Sequence, residues 1–140
     1  MHALAQLAPT RAQLVELERA IREQLAPVPH ETVHTFAPGL YIRTVRLPAG
    51  SVLTGRVHRT THGFIVTKGE MTIASEAGVQ RVSAGFQCVS GPGAKRAGFC
   101  HTDVECSNVH ITSETDLAKL EAALVEPAEL IEHKGTAWLG

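Results

Sequence analysis

From about Thr32 onward, segments of four to eight residues rich in Val, Ile, Thr and Phe are cut by Gly/Pro punctuation. This pattern constrains the chain more than any other, because it marks an all-β sandwich or barrel. Pro38-Gly39 precedes a strand over 40–47, and Pro48-Ala49-Gly50 turns the chain into 51–58. Arg59-Thr60-Thr61 links to 62–67, and Lys68-Gly69-Glu70 makes a hairpin into 71–75. Ala77-Gly78, Ser83-Ala84-Gly85, Gly91-Pro92-Gly93 and His101-Thr102-Asp103 then set off strands over 79–82, 86–89, 96–100 and 104–112. Eight or nine strands with hairpin-length links leave no room for crossover helices. A parallel α/β sheet is excluded, and a closed or double-sheet β fold remains.

Helical periodicity occurs only outside that region. Thr10 with Gln13 makes a capping box, and Leu14, Leu17, Ile21 and Leu25 give an apolar stripe over 10–26, stopped by Pro27 and Pro29. After the strands, Ser113 is the expected N-cap of a second helix, with Asp116 at its N3 position. Leu117, Leu120 and Leu124 form its stripe, and Pro127 ends it. The last 14 residues carry no pattern, and Trp138 reads equally as a cover for the barrel, a contact with a neighbouring subunit or a tail anchor. The expected division is a helical segment over 1–31, a barrel over 32–112, and a helix with tail over 113–140.

At 140 residues the chain is one domain, with enough core to need neither disulfides nor a structural metal. A formal net charge of -1 gives no bulk attraction to nucleic acid or an anionic membrane. No apolar run approaches the roughly 20 residues that span a bilayer, and the N-terminus lacks the basic region of a signal peptide. Cys88, Cys100 and Cys106 are odd in number and show no CxxC spacing, which fits buried core thiols in a reducing cytoplasm. Eight histidines are unusual at this length. His2, His30 and His133 read as surface residues, but His58 and His62 stand close enough to raise a metal or acid–base role.

The spacing around that pair carries a resemblance. Gly50 is followed by five residues, then Arg56-Val57-His58, three residues, His62, six residues and Gly69. Gly85 is followed by five residues, then Gly91-Pro92-Gly93, two residues, Arg96, three residues and Cys100. These intervals resemble the two motifs of cupins: Gly, five residues, His-x-His, three or four residues, Glu, six residues, Gly; then Gly, five residues, Pro-x-Gly, two residues, His, three residues, Asn. The resemblance covers roughly residues 38–112 and implies a double-stranded β-helix, or jelly-roll barrel, with a helix at each end. It also implies pairing of barrels into a homodimer. The chain is similar as well to small phage and prophage cupin-like proteins with a His-x-Thr-x-His stretch, a Lys/Arg-containing second motif followed by His-x-Asp, and a Thr-Asp-Leu helix. That likeness brings no known activity.

The family's metal ligands, three His and one Glu, fall on positions 56, 58, 62 and 96. Here they are Arg56, His58, His62 and Arg96. Arginine stays protonated and offers no lone pair, so the usual four-ligand set is altered. Three readings stay open. In the first, His58 and His62 bind a divalent metal (zinc, nickel, manganese or iron) with His101 as third ligand; His110, Asp103, Glu105 or water are the other sources. In the second, Arg56 and Arg96 project into the cavity beside His110 and bind a small anionic molecule through their guanidinium forks. Burying two arginines then demands an acidic ligand or protein carboxylates. In the third, the barrel is an accessory or structural scaffold without activity. Cys88 and Cys100 as nucleophiles near His101 are disfavoured by strand alternation, and no GxSxG, HExxH or paired-carboxylate constellation is present.

Overall fold

The structure, a computed structural model, describes residues 8–126. Helix α1 (Arg11–Gln24) is followed by nine strands and helix α2 (Leu117–Leu124). The strands are β1 (Glu31–Ala37), β2 (Leu40–Leu47), β3 (Val52–Thr54), β4 (His62–Lys68), β5 (Glu70–Ser75), β6 (Gly78–Ser83), β7 (Gln87–Ser90), β8 (Arg96–Cys100) and β9 (Val104–His110). They form a five-stranded sheet in the order β1-β2-β9-β4-β7 and a four-stranded sheet in the order β3-β8-β5-β6. Every strand pairing is antiparallel. This is the double-sheet β fold that the punctuation leaves and the jelly roll that the cupin resemblance implies. Among the described residues no helix is long and apolar enough to cross a membrane.

Strand alternation fills the space between the sheets in layers. Val45 faces Cys106 across β2 and β9, and Cys106 faces Val66 across β9 and β4. Those residues pack with Met71, Ile73, Val82 and Cys100 of the other sheet into the main apolar core. Burial pushes the thiols of Cys100 and Cys106 up to about 11 and about 12, so both are inert core residues. Gly69 closes the β4–β5 hairpin at φ 84°, and a Cβ there would stand 2.0 Å from the Asp103 carbonyl oxygen. Only glycine fits that position.

The capping box at Thr10 is present: Gln13 N donates to Thr10 Oγ1 at 3.1 Å and Thr10 N to Gln13 Oε1 at 2.9 Å. The face that α1 buries differs from the leucine stripe. Leu14 and Glu18 are buried, whereas Leu17 and Leu25 are exposed. Glu18 meets Lys95 Nζ at 3.4 Å, and both side chains are almost fully enclosed. Lys95 also donates to the Gly55 carbonyl at 3.0 Å. The helix therefore docks through a buried ion pair that also fixes the end of β3. The strand expected over 51–58 is correspondingly short: the Gly55 N–H still bonds the Arg96 carbonyl, but its own carbonyl goes to Lys95, and the chain from 55 to 61 is irregular but for an isolated bridge at His58.

At the other end of the chain, Asp116 is the N-cap of α2, accepting from Lys119 N at 3.0 Å. Ser113, expected there, instead accepts from Gly39 N at 2.9 Å. Leu120, Leu124 and Val125 pack on Tyr41 as a second apolar cluster. Val125 then bridges to His58, with Arg59 N donating to Leu124 O at 2.7 Å and Glu126 N to Val57 O at 2.8 Å. The end of α2 is thereby pinned across the barrel mouth. Trp138, Pro127, His2 and His133 lie outside the described residues.

Candidate functional site

Register places the polar residues in a layer above the apolar core. Tyr41 faces His110 across β2 and β9, and His62 faces Ser90 across β4 and β7. Gly63 pairs with Val109, so one step along the same ladder sets His62 beside His110. The next layer down pairs Arg43 with Asn108, Asn108 with Phe64, and Phe64 with Cys88. On β8, Cys100, Gly98 and Arg96 alternate toward the interior, which delivers the Arg96 guanidinium to the same level. His58 enters from the irregular link.

Three imidazoles gather there. His58, His62 and His110 are 2%, 3% and 0% exposed. Their ring centres lie 3.8 Å (58–62), 5.5 Å (58–110) and 5.4 Å (62–110) apart, all with stacked planes. Tyr41 continues the pile on His110 at 5.7 Å. Burial, then the neighbouring His62 and His110 and the guanidiniums of Arg96 and Arg43, depress His58 to about 2. Burial, His62 and Arg43 depress His110 to about 4. His62 is also lowered, by burial and Arg96, against the raising effect of the Thr60 carbonyl. All three rings are neutral at pH 7 and retain nitrogen lone pairs.

The partners of those nitrogens distinguish them. His62 Nδ1 donates to the Thr60 carbonyl at 3.1 Å, which leaves Nε2 as the acceptor. Arg96 Nη2 lies 3.4 Å from that Nε2, hydrogen-bonds Ser90 Oγ, and its guanidinium sits 4.5 Å from the Phe64 ring centre. His58 Nε2, both ring nitrogens of His110 and Asn108 Oδ1 are buried without a hydrogen-bond partner among the described residues. Leaving such groups unpaired costs about 1–3 kcal/mol each. Beneath this layer lies a cavity of about 40 Å³, measured as space open to the centre of a water molecule. Its floor is apolar, with Leu53, Phe64, Met71 and Ile73, and its rim includes His58, Arg96 and Asn108.

The structure brings His58, His62, Arg96 and His110 together. It places His101 elsewhere: Nε2 hydrogen-bonds Thr72 Oγ1 at 2.7 Å and the ring packs edge-on against Phe99 at 5.0 Å. Arg56 reaches the cavity wall, but its guanidinium is held by the Glu121 carboxylate and by the Glu126 carbonyl at 2.7 and 3.1 Å. Asp103 Oδ1 accepts from Ala49 N, and Glu105 pairs with Arg46 and Thr67. Arg43, which the sequence reading passed over, is 3% exposed; burial pulls it down only to about 10, so it stays charged. The available signal was its parity with Tyr41 and Val45 in an alternating strand.

No family model matches this sequence, and no curated protein does. Solved structures do. The chain superposes on a salicylate 1,2-dioxygenase from Pseudaminobacter salicylatoxidans with a TM-score of 0.56 and 14% identity, over 79% of this chain and 34% of that one. A cupin superfamily protein from Desulfitobacterium hafniense gives 0.53 at 8% identity, over 64% and 91% of the two chains. The cupin domain of Schizosaccharomyces pombe Cnp3 gives 0.50 at 15%, over 66% and 69%. The chain has the cupin fold. At these identities the likeness is one of fold alone, and the chain spans about a third of the dioxygenase.

Proposed function

We propose that this cupin is a small-molecule-binding protein whose barrel mouth holds a divalent metal through His58, His62 and His110. One observation carries the reading: three buried neutral imidazoles share one layer, and His58 Nε2 and both His110 nitrogens have no hydrogen-bond partner among the described residues. Imidazole in that state is the commonest protein ligand for such metals. The hydrogen bond from His62 Nδ1 to Thr60 is the kind of outer contact that orients a ligating ring.

The donor set fits in chemistry and in part of its spacing. Nitrogen binds zinc at roughly 2.0–2.1 Å, which puts the centres of tetrahedrally arranged rings roughly 5 Å apart. His110 stands 5.5 and 5.4 Å from the other two. His58 and His62, stacked at 3.8 Å, are closer than that. Among the described residues no three His, Cys, Asp or Glu side chains are already converged around one point. Binding therefore requires the His58 ring to turn off the face of His62. A metal held there would supply Lewis-acid polarisation of an oxygen on a bound molecule. Arg96, 3.4 Å from His62 Nε2, would add a fixed positive charge to that site, and the bridge between Val125 and His58 brings the end of α2 over the layer.

Elemental analysis after incubation with zinc, nickel, manganese and iron tests the proposal. Near-stoichiometric metal is expected in the wild type and a loss of most of it in His58→Ala/His62→Ala. A wild type that retains none of the four metals refutes it.

A further inference from the structure

The cavity under the histidine layer has a chemistry of its own. Among the described residues, its rim carries one charged group without an acidic partner. Arg96 is partly buried, and its contacts are Ser90 Oγ, His62 Nε2 and the Phe64 ring, all neutral. Arg56 contrasts with it, since Glu121 neutralises that guanidinium. Among the described residues only Nη2 of Arg96 is engaged, which leaves most of its five donors for a ligand. Directly below, the cavity is walled by Leu53, Phe64, Met71 and Ile73. Such walls offer no hydrogen bonds.

We infer that this cavity binds a short-chain aliphatic monocarboxylate, its head on Arg96 and its tail in the apolar floor. The class follows from three constraints. A guanidinium fork matches the two coplanar oxygens of a carboxylate. Phosphate or sulfate would carry further oxygens toward walls that cannot solvate them, at the cost that attends any buried unpaired polar group. The volume sets the length. The space of about 40 Å³ is well below the roughly 150 Å³ of a cavity that takes up benzene, which limits the tail to a few carbons. An aromatic ring is too large. The inference rests on the mouth being the binding site, as proposed above, but on no metal being present.

The test uses the full chain freed of metal with EDTA and verified by elemental analysis. Thermal stability is followed against formate, acetate, propionate, butyrate, hexanoate, benzoate, phosphate and sulfate. Stabilisation is expected to peak at propionate or butyrate and to need at least tenfold more ligand in Arg96→Met. Leu53→Ala enlarges the floor and is expected to move the optimum to a longer chain. Should Arg96→Met fail to fold, the length optimum in the wild type and its movement in Leu53→Ala decide the matter. Equal responses at all chain lengths, a phosphate or sulfate response as large as that to propionate, or an unchanged response in Arg96→Met overturns the inference. Because the samples contain no metal, failure here leaves the metal proposal untouched, and the converse also holds.

Discussion

Acidifying the metal-free protein from pH 7.5 to 5.0 exposes the energetic cost of the buried histidines. His58 and His110 are held at about 2 and about 4, against an ordinary 6.5. A histidine lowered by folding resists the proton that the unfolded chain accepts. Stability is therefore intact above pH 6.5 and falls as pH drops toward the folded value. At 1.36 kcal/mol per unit, the 1.5 units from 6.5 to 5.0 remove about 2 kcal/mol per ring, or about 4 kcal/mol for the pair. The rings are in contact, so they titrate as a unit and this sum is an order of magnitude. His62 and His34 are lowered too and act in the same direction. The depressed carboxylates Glu70 and Glu105 contribute only below about pH 4.5, outside the window. Urea unfolding at pH 7.5, 6.5, 5.5 and 5.0 measures the loss. His58→Gln/His110→Gln is expected to flatten most of the slope. A free energy constant from pH 6.5 to 5.0, or imidazole NMR titrations of both rings near 6.5, would refute the reasoning.

Other substitutions separate the remaining elements. Gly69→Ala brings a Cβ to 2.0 Å from the Asp103 carbonyl oxygen and should abolish soluble expression. Gly50→Ala, at φ 86° but in open space, should cost only about 1–2 kcal/mol in chemical denaturation. Lys95→Met leaves the buried Glu18 carboxylate without its cation, with the Thr54 hydroxyl still donating to it, and should cost about 3–5 kcal/mol, whereas Glu18→Leu/Lys95→Met should recover most of that loss in the same assay. Glu121→Ala frees Arg56 from an exposed partner at a cost of about 1 kcal/mol or less. It should also speed the hydrogen exchange of Arg59 and Glu126 amides, which donate across the mouth.

The barrel was legible because turn chemistry and strand alternation are local. Gly/Pro punctuation set the strand count, and parity along 104–112 turned His110 inward, as its burial shows. The Thr10–Gln13 box was legible for the same reason. What escaped depends on contacts between distant residues. Glu18 lies in a helix where a charge normally marks the solvated face, and its burial is explained by distant partners, Lys95, 77 positions away, and the Thr54 hydroxyl. β3 ends early where the Gly55 carbonyl is taken by the Lys95 ammonium. His101 and His110 both lay within reach of the histidine pair on spacing alone; tertiary register set His110 beside His62 and gave His101 to Thr72. The cover over the mouth comes from Val125 and Glu126 meeting Val57 and His58, a pairing that no local pattern announces.

X-ray absorption on zinc-loaded protein measures the number of imidazoles on the metal, beside His110→Ala and His101→Ala under the same loading. The account predicts three imidazole nitrogens at roughly 2.0–2.1 Å, one fewer or no retained zinc in His110→Ala, and an unchanged shell in His101→Ala. A shell built of oxygen alone, or one that His110→Ala leaves intact, would contradict it.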